Sequence, residues 1–562
     1  MRGSVRALGC ASMFVLGFMG AYQAQAQTSV SERRSETEPA NRDEVEVITV
    51  TAQFRAQNLQ DTPIAITAVS GAMLEARSQT NIAQIANQAP SVTLKGQGAT
   101  YGSSLVGNIR GVGQHDFSAA LEPGVGLYVD DVYYATLTGS ILDLLDLDRV
   151  EILRGPQGTL AGKNSIGGAV KLYSARPTGS NSGYILATYG SRNRLDLRAS
   201  ADFGLTDTLS ARIAGVTKKQ EGYVKRMDFG CLYPAGGPAV YTTNTGTTAP
   251  VNPAGGIPQL TSATDCVLGR EGGTGYSAVR GQLRFQPNSD LDINIIGDYT
   301  VEDRPNAGNV LLDRSIAGVR RSPNWIDRLP GNARGATDVN PYSAAIPYDV
   351  RFICGQYCNY ATYIAAADTS TGALGAFANT GGVRPATIYD GRLNFKGWGV
   401  SGSIEYNLTD NLQLVSITGY RAYRSDWDSD DDLSPLAMQN NTSDLEYWQF
   451  TQEVRLNGSA FDKTLEYTLG GFYLKQYTHI LAGSDVRTAT EAAFFNNDIT
   501  RANTKAAFIH LAWSPVERLT LSAGLRYNDE FKEYVFGRTG LGGAPLPASS
   551  QVRLLNGVVG LY

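Results

Sequence analysis

Leu519-Thr520-Leu521-Ser522-Ala523-Gly524-Leu525-Arg526-Tyr527-Asn528 sets an apolar residue at every second position and a polar residue or glycine between. A period of two is that of a β-strand with one apolar face. Leu291, Ile293, Ile295 and Tyr299 repeat it, and from Gly183 onward such segments succeed one another with turn residues between them. A soluble sandwich also alternates, so the connections must arbitrate. Gly204-Leu205-Thr206-Asp207, Pro287-Asn288-Ser289-Asp290, Asn407-Leu408-Thr409-Asp410 and Ser514-Pro515-Val516-Glu517 are tight, whereas alternate connections at about 226–273 and 305–393 are long. Short turns at one rim and long loops at the other describe a transmembrane antiparallel β-barrel, its long loops outside the cell.

Composition agrees with strands. The chain holds 62 Gly and 29 Tyr against 3 His and 6 Met, which suits tyrosine-bearing strands and turns better than long helices. A net charge of -5 with no Lys/Arg-rich block argues against nucleic acid as a partner. At the start, Arg2 and Arg6 precede an apolar run from Ala7 to Ala21 that ends in Ala24-Gln25-Ala26, so residues 1–26 read as an export signal. The run is shorter than the roughly 18 apolar residues a membrane span needs. Export to an oxidising compartment makes Cys231, Cys266, Cys354 and Cys358 a disulfide set. Local closure, Cys231 with Cys266 and Cys354 with Cys358, is the simplest of three connectivities. No His stands near them and neither pair has Cys-x-x-Cys spacing, so zinc is disfavoured.

Residues 27–44 are polar and charged and cannot bury enough apolar surface to order themselves. At Val47-Ile48-Thr49-Val50-Thr51 the tether, taken as 27–57, turns β-branched, an extended stretch able to add to the edge of a partner's sheet. Residues 58–177 mix short β-branched runs, Gly-rich turns and a helix expected near Asn81 to Ala89, the pattern of a compact α+β domain. Residues 178–562 hold the alternating segments.

Four further stretches resemble the plug motifs of the TonB-dependent receptors, in particular the iron-complex branch common in alphaproteobacteria. They are Asn108-Ile109-Arg110-Gly111-Val112, Val129-Asp130-Asp131-Val132-Tyr133, Arg149-Val150-Glu151-Ile152-Leu153-Arg154-Gly155-Pro156-Gln157-Gly158-Thr159-Leu160 and Gly162-Lys163-Asn164-Ser165-Ile166-Gly167-Gly168-Ala169-Val170. Val47 to Ala52 is similar to the TonB box, and Asn58 to Ser70 to the start of the plug. The sequence departs at Ala161, where the family has an aromatic, and at Lys171-Leu172-Tyr173. The resemblance implies an N-terminal α+β plug within a barrel in the bacterial outer membrane. It further implies Val47, Ile48, Thr49, Val50 and Thr51 as the segment that binds TonB, acting with ExbB and ExbD, and uptake of a ferric siderophore or other iron complex. Haem, cobalamin, oligosaccharide or another organic ligand are alternatives within the family; a passive channel or adhesin would lack both box and plug.

A buried Arg without a partner is costly, so Arg110, Arg149 and Arg154 need carboxylates. Glu453, in a segment resembling an inward-facing barrel strand, is one candidate; Glu151 and Asp148 within the plug are the other. Asp426, Asp428 and Asp430 belong to an Asp-rich run with enough oxygens for a hard cation, but without EF-hand spacing. No Gly-x-Ser-x-Gly elbow or other catalytic set is present, and neither enzymatic activity nor a cofactor is expected. About twelve candidate strands follow Gly183, near half of the roughly 22 that enclose a plug. The expectation is therefore a fragment or truncated gene product, with open sheet edges near Gly183 and Tyr562.

Overall fold

The computed structural model describes residues 49–312, 350–362 and 391–561 with short breaks, the longest at 97–103 and 137–144. The export segment, most of the tether, Val47, Ile48, Thr51 and Tyr562 lie outside the described residues.

The N-terminal domain is built on a five-stranded sheet ordered Ile66–Ser70, Leu147–Arg154, Gly168–Ser174, Val125–Val129 and Val132–Tyr134, beside a three-stranded sheet of Val92–Gly96, Leu105–Ile109 and Val112–Gln114. Helix Gly71–Ala76 is capped by Ser70, whose side chain accepts from the Met73 amide. Where a helix over Asn81 to Ala89 is expected, there is one α turn, Ile82–Ile85, continued by a 3-10 turn at Ala86–Gln88. A capping box between Asn81 and Gln84 starts it. Tightening its end still lets Ile82, Ile85 and Ala86 reach the core.

Two family-like motifs are hairpin turns. Arg110 and Gly111, with φ of +53° and +82°, link Leu105–Ile109 to Val112–Gln114; Asp130 and Asp131, with φ of +50° and +61°, link Val125–Val129 to Val132–Tyr134. Positive φ at both central residues is the type I′ geometry that matches strand twist. Asp130 and Gly111 are suited to it; an Asp side chain tolerates the left-handed region because it bonds locally, and here Asp130 accepts from the Ser174 amide and hydroxyl.

The second element is a fourteen-stranded antiparallel sheet. Its path runs Gly183–Gly190, Arg194–Gly204, Leu209–Gln220, Thr274–Asn288, Leu291–Pro305, Arg392–Thr409, Leu412–Asp430, Gln439–Ala460, Leu465–Val486, Ala492–Val516, Leu519–Phe536, Val552–Leu555 and Val558–Leu561, with Arg538–Gly540 paired to the side of Ala492–Val516. Among the described residues the first and last strands of this path are not paired with each other. The period of two divides the sheet's faces. In Leu519–Phe536, Leu521, Leu525 and Tyr527 are 50%, 72% and 72% exposed, while Gly524 meets the plug so closely that a Cβ there would stand 2.5 Å from Thr159 Cγ2. Trp398, Tyr420, Trp448 and Tyr477 form a row across the outward face, with ring centroids 5.3–6.4 Å apart, like the aromatic girdle of an outer-membrane barrel.

The long connections fold together. Val267–Glu271, Val224–Met227 and Cys358–Tyr360 make a three-stranded sheet over a core of Phe229, Val251, Ile257, Phe352 and Tyr360. Cys231 is bonded to Cys266 and Cys354 to Cys358. Residues 224–227 and 358–360 pair in parallel, so two loops more than a hundred residues apart build one cap.

Candidate functional site

Each central plug strand presents two chemistries. In Leu147–Arg154, Val150 and Ile152 enter the plug core; in Gly168–Ser174, Val170 and Leu172 do the same. The alternate positions Arg149, Glu151, Leu153 and Ala169, Lys171, Tyr173 face the other way. There Tyr128, Tyr133, Leu153 and Ala169 pack with Leu474 of the barrel sheet.

Lys171 therefore points at the barrel wall with its side chain only 3% exposed, which requires a counter-charge. Asp131, in the Asp-Asp turn, supplies it: Oδ1 is 3.6 Å from Lys171 Nζ and accepts from the Tyr173 hydroxyl at 2.9 Å, while Oδ2 is 3.7 Å from Arg455 Nη2. Burial alone pushes the Asp131 carboxyl up, but Lys171 and Arg455 outweigh it and hold it below its ordinary value. Arg455 lies on barrel strand Gln439–Ala460, 3.3 Å from Glu453 on the same face. The barrel and plug thus share one buried cluster of two cations and two carboxylates.

A second cluster ties the plug to strand Leu519–Phe536. Lys163 Nζ is 2.7 Å from Glu530 and 3.7 Å from Glu122; Lys532 Nζ is 2.6 Å from Glu122. Burial raises Glu122, yet the two lysines bring it below its ordinary value. Elsewhere Arg212 pairs with Asp146 at 2.6 Å, Arg421 pairs with Asp298 at 2.6 Å while lying over Tyr134, and Gln449 accepts from the Ala135 amide. The contact between plug and wall thus combines charge pairs and hydrogen bonds with apolar patches, Val132 against Val415 and Ile417 and Leu145 against Ala214 and Val216.

Upstream of the plug, Thr49–Val50 pairs antiparallel with Gln57–Asn58, and Val50 is fully buried. Between them, the Arg55 guanidinium donates to the carbonyls of Gly458 and Tyr467 at 2.5 and 2.9 Å and lies 3.4 Å from Glu466. The Phe54 ring sits 5.9 Å from that of Phe508, under Arg455 and Lys171.

The residues singled out from sequence are distributed as follows. Arg149 bonds Glu151 and Asp148, both at 2.8 Å, inside the plug. Arg110 is exposed at its turn, and Arg154 is half-buried with an Nε lacking a hydrogen bond; neither is ion-paired among the described residues. Glu453 meets Arg455, not any of the three plug arginines, which corrects the pairing considered above. The physical reason is reach: Arg455, two residues along the same strand face, lies 3.3 Å from the Glu453 carboxylate, whereas Arg149 is already bonded to Glu151 and Asp148 inside the plug. Asp131, Lys171, Arg455, Glu122 and Lys163 were not foreseen as partners. A lone lysine inside the apolar run Gly168–Ser174 was the available signal. Asp426 accepts from Asn394, Asp428 from the Arg392 amide, and Asp430 from Thr362 and the Leu433 amide, so these oxygens are engaged by donors. No metal-holding group occurs among the described residues.

Residues 58–169 match the family model described as TonB-dependent Receptor Plug Domain. Relatives include a pesticin receptor of Yersinia pestis, 30% identical over 155 residues that make up 27% of this chain and 22% of that protein. A hemin receptor of the same organism is 28% identical over 228 residues, 39% of this chain and 31% of that protein. The crystal structure of the ferric yersiniabactin uptake receptor FyuA from Yersinia pestis superposes with a TM-score of 0.59 at 16% identity, covering 89% of this chain and 61% of that one. The chain thus spans under two thirds of the relatives it matches. Residues 58–169 thus match the TonB-dependent receptor plug domain, and the antiparallel sheet that follows shares the fold of the ferric yersiniabactin uptake receptor.

Proposed function

We propose that this protein works in energised uptake of an iron complex, a ferric siderophore first, through TonB with ExbB and ExbD, and that it catalyses no reaction. The observation that carries this reading is a plug-domain match at residues 58–169 whose fold meets the barrel wall through ion pairs. Residues 27–57 are the tether, 58–177 the plug and 178–562 the barrel wall, set in outer-membrane lipid. Val47, Ile48, Thr49, Val50 and Thr51 are the strand that TonB takes. The names of the relatives, a pesticin receptor, a hemin receptor and a ferric yersiniabactin uptake receptor, favour an iron-bearing ligand.

Uptake of radiolabelled iron by a deletion strain carrying the gene, offered a panel of ferric siderophores and hemin, tests it. Accumulation should require a member of the panel and stop when the proton gradient is collapsed. Ile48→Pro or Val50→Pro removes a backbone donor and fixes φ, so uptake should fall to background while ligand binding to whole cells persists. Uptake that ignores the uncoupler, or survives both substitutions, would remove TonB from the reading.

A further inference from the structure

We infer that Phe54 is a positioning residue, an aromatic key that holds the buried Asp131–Lys171–Arg455 cluster closed until the segment just upstream is pulled. The inference rests on the uptake reading and names how a pull on that segment reaches the plug.

Phe54 has φ of +63°. A bulky side chain in the left-handed region is a true outlier, and such a conformation persists only where its surroundings over-determine it. Here they do. The Arg455 guanidinium carbon lies 4.1 Å from the ring centroid and Lys171 Nζ 5.3 Å, so the barrel's cation and the plug's cation share one ring. Phe508 packs 5.9 Å away, Asn457 donates to the Phe54 carbonyl at 3.4 Å, and Arg55 next to it is fastened to Gly458, Tyr467 and Glu466.

Three consequences follow from that placement. The ring supplies a negative face to two cations that one aspartate bridges, which offsets their mutual repulsion in a site with little water. The strained backbone favours departure once the flanking contacts are broken. Thr49–Val50 is covalently four residues upstream, so peeling it from Gln57–Asn58 delivers the load to Phe54 before any strand of the plug sheet. With the ring gone, water reaches Asp131, Lys171 and Arg455, and the bridge between plug and wall weakens.

The test pulls on the receptor purified from outer membranes, tethered at a Val47→Cys handle with no TonB or ligand present, and reads the lifetime of the first rupture at constant force. Far-ultraviolet circular dichroism checks that each variant is folded. Phe54→Leu keeps apolar bulk without the ring quadrupole and should shorten the lifetime about tenfold, a change the size of one desolvated cation–π contact. Phe54→Tyr should restore it. A Leu variant with the wild-type lifetime overturns the inference, and so does a Tyr variant as weak as Leu. Because neither uptake nor ligand enters the measurement, failure to accumulate iron with the lifetimes ordered as expected would sink the uptake reading alone.

Discussion

The interior of the plug and its contact with the barrel wall are made by the same strands, apolar on the first side and a mixture of charge and apolar contacts on the second. Val150 and Ile152 look inward to Val69, Leu74, Ile82 and Leu172, all nearly or fully buried; Arg149, Glu151 and Lys171 look outward to charges. Glu151 stands opposite Lys171 and Val150 opposite Leu172 in one ladder, so a single register writes both surfaces. Apolar burial carries no alternative partner and is lost only by unfolding. Charge pairs can be replaced by water at modest net cost when a path for water opens. On the uptake reading proposed above, a domain that remains folded while its seat is released uses that division.

The largest expected effect breaks the comparison on the apolar side. Ile152→Ala should destabilise the plug by about 2–5 kcal/mol, the usual cost of a large-to-small change in a core. Urea titration followed by proteolysis within residues 58–169 measures it, and proteolysis of the barrel strands should be unchanged. Next, Asp131→Asn keeps the shape of the side chain but removes the charge between Lys171 and Arg455. It should weaken seating by about 1.5–3 kcal/mol, the range for hydrogen bonds to charged groups. Spin labels across plug and wall would report the looser seat. Equal losses of the plug's own unfolding free energy in the two variants would show that core and seat are one cooperative unit, contrary to the division drawn here.

The smallest effect lies in the cap, which holds a buried polar seam. Glu271 accepts from Asn359 at 2.7 Å and lies 3.9 Å from Arg226; burial pushes its carboxyl up to about 7. A raised carboxyl favours the protonated folded form, so its stabilisation is full below the unfolded value of 4.5 and is lost as pH rises through about 7. Amide exchange in Val224–Met227 and Val267–Glu271 should accelerate over that window, and Glu271→Gln should flatten the dependence. Exchange slowing with rising pH, after correction for the intrinsic rate, would reverse the assigned sign.

Much of the architecture was legible because it depends on local rules. Alternation at Leu519–Asn528 and the tight turns near 204–207, 287–290, 407–410 and 514–517 follow from the strand period and turn chemistry, which neighbouring residues decide. The plug motifs were legible as patterns, and the structure supplies a physical content for two of them as type I′ turns. The helix near Asn81 was overextended because its apolar spacing is compatible with both an α and a 3-10 end.

The seat was not legible. Asp131 and Arg455 are 324 residues apart, and which of the inward residues on Gln439–Ala460 meets the plug depends on how the whole plug sits against the sheet. Sequence reasoning left two partners open for the plug arginines: Arg149 takes the second, Glu151 and Asp148, whereas Glu453 lies beside Arg455 on its own strand. The cap is the same case: Cys231, Cys266, Cys354 and Cys358 were evident as a set, while the parallel pairing of Lys225 with Cys358 that joins two loops was not. By itself the sequence determined strands, turns, motifs and the need for counter-charges, since each is set by period, conformational preference or desolvation. Only the tertiary structure decided which charge meets which and where Phe54 lies, because those contacts join segments hundreds of residues apart whose proximity is a property of the completed packing.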